Sequence, residues 1–143
     1  MFEWSDSYSV GVRGIDSQHK NLFQLAGELQ RAMVAGETKA NLVQLVDRLA
    51  RYTLVHFAYE ERLLEEAGYP EIHAHKAEHD QLRERALEFQ KEIEEGRHPM
   101  AFELLQFLKS LLRHHILEAD QKYAPYLRQK STDPAAGRAN LLP

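Results

Sequence analysis

Apolar positions recur at steps of three and four through most of the chain, the spacing that stacks side chains on one face of an α-helix. Glycine and proline divide this pattern into four stretches, with breaks at 11–14, 36, 68–70, 96–99 and after Pro125. The first inward row reads Ile15, His19, Leu22, Ala26, Leu29, Met33. The second reads Leu42, Leu45, Leu49, Thr53, His56, Glu60, Leu63, Ala67, and the third Ile72, His75, His79, Leu82, Ala86, Phe89, Ile93. The fourth reads Ala101, Leu104, Leu108, Leu111, His115, with Leu112, Ile116 and Asp120 on the row beside it. Good helix formers fill all four stretches, and none alternates with a period of two. Asp16 or Ser17 reads as the cap of the first helix, and Pro70 as part of the first turn of the third. Short connections predict an all-α fold, an antiparallel up-down-up-down four-helix bundle with an irregular N-terminal arm holding Trp4, Tyr8 and Val10. The bundle domain is expected over residues 1–130, and 131–143 as a flexible C-terminal tail.

Every inward row carries ionisable residues. Burying one unpaired polar group costs a few kcal/mol, and an isolated charge far more. Seven such groups exceed what a marginally stable domain tolerates unless they satisfy one another or hold metal. Depth along an antiparallel bundle is set by distance from the turns, at about 1.5 Å per residue. His19 lies 17 residues before Gly36 and His56 lies 20 after it. Glu60 lies 9 before Tyr69, while His75 and His79 lie 6 and 10 after it. His79 and His115 each lie 18 residues from Arg97. All seven therefore fall at one level, near the end that carries the 68–70 turn.

Taken singly, these residues are weaker signals. A lone inward histidine such as His19 is usually a satisfied core residue, and His56–Glu60 has the spacing of an ordinary helix pair. His75–His79 is stronger, because two imidazoles one turn apart commonly chelate a metal. On the fourth helix His114–Glu118 has chelate spacing, but its row (Glu103, Phe107, Ser110, His114, Glu118) is mostly polar and reads as solvent-facing. His115 and Asp120 lie on apolar rows, yet five residues of ideal α-helix set them roughly 140° apart, flanking a site rather than stacked. His73 and His98 read as solvated turn residues. Tyr59, Tyr123 and Tyr126 read first as boundary aromatics, and alternatively as partners of the inward groups.

Composition narrows the chemistry. The chain has 143 residues, eight histidines, no cysteine, a formal charge of −4 and a pI near 6.1. Disulfides, thiolate sites and cysteine nucleophiles are excluded. The acidic balance argues against nucleic acid as a partner. No window reaches the apolar length of a membrane span, and the opening MFEWSDSYSV has no secretion signal, so a cytoplasmic protein is expected.

Five histidines and two carboxylates are too many for one ion, so two are implied. With about six ligand positions on each ion, five imidazoles, two bridging carboxylates and a bridging oxygen leave one position open. The neighbours Leu22, Phe57, Leu112 and Ile116 are apolar. No further Asp, Glu or Lys stands on the inward rows as a general acid or base. Such a pocket suits a diatomic gas and favours binding over turnover.

The segments V-R-G-I-D-S-Q-H, H-F-A-Y-E-E, H-K-A-E-H and H-I-L-E-A-D-Q-K-Y resemble those of the hemerythrins, especially the single-domain bacterial ones, from about Trp4 to Leu127. The resemblance implies two iron ions in an oxo- or hydroxo-bridged, non-haem di-iron centre. His75, His79 and His115 would hold one ion, His19 and His56 the other, with Glu60 and Asp120 bridging. The open position would lie on the ion of His19 and His56, where O2 binds reversibly for carriage, storage or delivery. NO and azide would be further small ligands, no membrane partner is expected, and the protein is expected to be a monomer and not an enzyme. One position departs from the pattern. Four residues before the last ligand histidine the family often has tryptophan lining the pocket, and here Leu111 stands there.

Two other classes compete. The same centre in an oxidase, peroxidase or NO-consuming enzyme would turn over with a reductant, and in a gas or redox sensor it would need an output partner. The ferritin-like pattern wants two Glu-x-x-His motifs on helices, whereas Glu95–His98 straddles a turn.

Overall fold

The computed structural model describes residues 2–36, 38–97 and 101–130, without the side chains of 101, 102, 129 and 130. His98 and the 131–143 tail lie outside the described residues. Three long helices, α1 (Arg13–Val34), α2 (Lys39–Ala67) and α3 (Ile72–Glu94), precede a fourth leg. That leg consists of α4 (Ala101–Lys109), a π-helical segment (Ser110–Ala119) and α5 (Asp120–Lys130). Successive legs pack against one another, and the fourth closes back on α1, giving the expected up-down-up-down bundle.

Local chemistry sets the ends. Thr38 caps α2 through the Asn41 amide. Gly68, at φ +68°, ends that helix in the left-handed region open to glycine, and the Tyr69 amide reaches back to the Leu64 carbonyl. Three expectations about ends need correction. Asp16 and Ser17 do not cap α1, which starts at Arg13 behind Val12. Asp16 instead lies in the first turn and accepts from the Val10 amide (2.8 Å) and the Ser9 hydroxyl, tying the arm to the helix. Pro70 precedes α3 by two residues, because Glu71 occupies its cap position. Pro125 does not stop the fourth leg, which runs to Lys130. Burial of Tyr123, Ala124 and Leu127 outweighs the missing hydrogen bond, worth about 3 kcal/mol with its clash.

The arm is fastened at its far end too. A 3-10 turn at Asp6–Tyr8 places Tyr8 against Phe23, Gln121 donates to the Tyr8 carbonyl, and Arg128 donates to those of Ser9 and Val10.

Two apolar cores result. The larger joins Leu22, Leu29, Leu49, Phe57, Phe89, Leu108 and Leu112 with their neighbours. The smaller joins Val10, Ile15, Leu63, Leu64, Tyr69, Tyr123 and Leu127 at the end carrying the 68–70 turn. Phe107 belongs to the larger core, packed edge-on against Phe89, although its row was expected to face solvent. Large aromatic area outweighs the polar company it keeps in that row.

Candidate metal centre

Between the two cores lies a polar layer. His19, His56, His79, Glu60 and Asp120 are fully buried, and His115 and His75 are 2% and 5% exposed. α1 contributes His19, α2 His56 and Glu60, α3 His75 and His79, and the fourth leg His115 and Asp120. Their ligand-type atoms form two overlapping groups, each within 4.8 Å: Glu60, His75, His79, His115 and Asp120, and His19, His56, Glu60 and Asp120.

The two carboxylates divide their oxygens between these groups. Glu60 Oε1 lies 2.8 Å from His75 Nε2 and 3.0 Å from His79 Nε2, and Asp120 Oδ1 lies 3.0 Å from His75 Nε2 and 3.1 Å from His115 Nε2. The other oxygens face the opposite pair. Glu60 Oε2 is 3.2 Å from His56 Nε2 and 3.5 Å from His19 Nε2, and Asp120 Oδ2 is 3.1 Å from His19 Nε2.

The π-helical segment brings His115 and Asp120 together. Its cap bond runs from the Asp120 amide to the His115 carbonyl, five residues back. The wider turn rotates less per residue, so residues five apart come much closer to one face than the roughly 140° of an ideal α-helix allows. His114 and Glu118 point outward, with side chains 71% and 69% exposed.

Electrostatics describe the layer without metal. Burial lowers the basicity of His56 and His115. Burial acts the same way on His19 and His75, but the Asp120 and Glu60 carboxylates outweigh it and raise them to about 9 and about 10. Burial would raise the Glu60 carboxyl, yet the surrounding imidazoles hold it well below its ordinary range. Two imidazoliums thus offset two carboxylates at neutral pH, and a metal would have to displace those protons.

The donor set fits metal. Nε2 of His19, His56, His79 and His115 and both Asp120 oxygens are buried with no hydrogen bond among the described residues, although ring nitrogens and carboxylate oxygens stand near 3 Å apart. Lone pairs close together but misaligned for hydrogen bonds suit points lying between them.

A surrounding set of groups orients the rings. His56 Nδ1 is 2.7 Å from Gln18 Oε1, His79 Nδ1 2.7 Å from Glu61 Oε2, and His115 Nδ1 3.2 Å from Glu78 Oε2. Arg83 in turn donates to Glu61 Oε2 at 2.8 Å. The Tyr123 hydroxyl donates to Glu60 Oε2 at 2.9 Å, and burial raises its pKa well above the usual phenol value. Tyr126 donates to the Gly68 carbonyl, and Tyr59 lies at the boundary against Arg62. Sequence reasoning missed Gln18, Glu61 and Glu78. Each follows or precedes an inward polar residue by one position, off the row, and ligand histidines commonly donate their second N–H to such a neighbour. His73, expected at a turn, is exposed in the first turn of α3.

The apolar neighbours Leu22, Phe57, Leu111, Leu112 and Ile116 are all fully buried in the larger core, and Phe57 stacks on His79 at 4.0 Å. No helix among the described residues is long and apolar enough to cross a membrane.

The chain is similar to known proteins in sequence and fold. A bacteriohemerythrin of Stenotrophomonas maltophilia is 34% identical over 128 residues, covering 90% of this chain and 82% of its own. One from Clostridium acetobutylicum is 32% identical, covering 86% and 98%. The crystal structure of a wild-type hemerythrin superposes with a TM-score of 0.78 at 29% identity, over 87% of this chain and 96% of that one. The Hemerythrin HHE cation binding domain matches residues 10–127, a span that takes in the whole polar layer, and the chain belongs to the hemerythrin family.

Proposed function

We propose that the protein binds O2 reversibly at a non-haem di-iron centre, for carriage, storage or delivery of the gas. The observation that carries this reading is the division of the Glu60 and Asp120 oxygens between a three-histidine and a two-histidine group. His75, His79 and His115 would hold one ion and His19 and His56 the other, with Glu60 and Asp120 offering oxygens to both groups. When bound, the ferrous pair supplies the electrons that reversible dioxygen binding requires. The protein supplies position and dryness. Tyr123 fixes the rotation of Glu60, while Gln18, Glu61 and Glu78 fix the rings of His56, His79 and His115. Leu22, Phe57, Leu111, Leu112 and Ile116 form the pocket that excludes water and larger substrates.

Among the described residues the buried carboxylates are Glu60 and Asp120, and no lysine is buried. Lack of a further acid or base favours a binding protein over an enzyme. The same reading makes it a cytoplasmic monomer that also accepts NO or azide. The test is anaerobic loading with ferrous iron, followed by titration with O2. A visible charge-transfer band should appear, then fade when the gas is removed. A band that does not reverse, or continuous O2 consumption with a reductant, moves the assignment to an oxidase.

Two expected results follow from the shell around the centre. Leu111→Trp, filling the pocket with a larger apolar ring, should slow autoxidation of the oxygenated form, and an unchanged decay rate would remove Leu111 from the pocket wall. Glu61→Gln should weaken metal binding by about 10- to 100-fold in chelator competition, because His79 loses its charged partner. Unaltered affinity would mean that Arg83 and packing orient His79 without it.

A further inference from the structure

The centre is buried, so an ion needs a way in. Beside α3 and the fourth leg lies a cavity of about 70 Å³, lined by Glu71, Ala74, His75, Glu78 and Lys122 among others. His75 belongs to both places, since its Nε2 stands 2.8 Å from Glu60 and 3.0 Å from Asp120. It is also the most exposed of the seven converging residues, at 5%. Glu78 joins the cavity to a second histidine of the same group, His115.

We infer that this cavity is the port through which divalent cations reach the centre, an inference that rests on the metal-centre reading above. An ion crossing the larger core instead would shed its water among leucines and phenylalanines, at a cost of many kcal/mol. Through the port it moves from water to carboxylate to imidazole, with Glu71 and Glu78 drawing it in and Lys122 opposing. Two larger grooves along α1 and α2, about 550 and 450 Å³, are each lined by Arg48 and Glu28 together with Arg51 or Arg31, and touch none of the seven residues. In each, two arginines outnumber the one glutamate, so neither draws a cation in.

A path differs from a binding site in what it changes: it alters uptake and release by one common factor and leaves affinity alone. The experiment is stopped-flow uptake of Co(II) by the metal-free full chain, followed by its absorption, with release measured against excess chelator. At low salt Glu71→Gln should slow uptake and Lys122→Gln should speed it, each by up to ~10-fold, and both effects should shrink as ionic strength rises. Ala74→Leu, which narrows the cavity without touching a charge, should slow uptake and release equally at any salt. Wild-type rates in all three variants, with Co(II) still bound, overturn the port alone. Altered affinity at unaltered uptake also overturns it, placing these residues in a site rather than a path. A wild-type chain that takes up no Co(II) overturns the metal-centre reading and the port with it.

Discussion

Glu60→Ala is expected to yield a chain that no longer holds two metal ions, whatever the loading conditions. Glu60 offers one oxygen to His75 and His79 and the other to His56 and His19, so it is the contact between the two halves of the layer. Without it His56 and His79 lose their carboxylate neighbour in the layer, and Asp120 alone faces the charge that His19 and His75 carry. Stranding a buried charge costs roughly 3–5 kcal/mol, so the metal-free variant should also melt earlier unless one imidazole gives up its proton. Metal content by mass spectrometry and a thermal melt check both halves of the expectation. Two irons per chain in the variant would refute the bridging role. Glu60→Gln separates shape from charge, because it keeps the volume and offers only one carbonyl oxygen.

The second large effect distinguishes two adjacent histidines. His115→Ala should reduce metal affinity by more than the 10- to 100-fold that loss of an outer partner costs, since it removes a nitrogen facing Asp120. His114→Ala should leave metal content unchanged and alter stability by no more than about 0.5 kcal/mol, as expected for an exposed position. Chelator competition on the pair decides the matter. A reversed outcome would put the wrong face of the fourth leg against the centre.

These two residues also show how far the sequence could be read. Helix period, turn residues and the cost of buried charge were enough for the bundle and for the convergence of seven polar side chains at one depth. The relation of His115 to Asp120 was not legible from period, because a π-helical turn changes the angle per residue and nothing in S-L-L-R-H-H-I-L-E-A announces it. Only the apolar rows on which the two residues stand, and the family resemblance, pointed to them. Phe107 was misplaced for a related reason: its row was judged by its polar members, while a single large aromatic decided the burial. Gln18, Glu61 and Glu78 escaped notice because they sit off the inward rows, and reach the layer through long side chains whose direction no periodicity encodes. Asp16 looked like a cap, since its residue type suits one, but the arm had already claimed its carboxylate.

The polar layer has a mechanical meaning as well. It separates two apolar cores built on the same helices, so cohesion across the seam draws on polar pairs where each core relies on water exclusion. Metal then acts as a rivet, and stripping it leaves a joint held by imidazolium–carboxylate pairs. The metal-free chain should come apart in two stages, the small core opening before the large one, and amide exchange should register two cooperative units that merge into one on loading. The ions that bind the gas would thus be the same ones that make the bundle a single body.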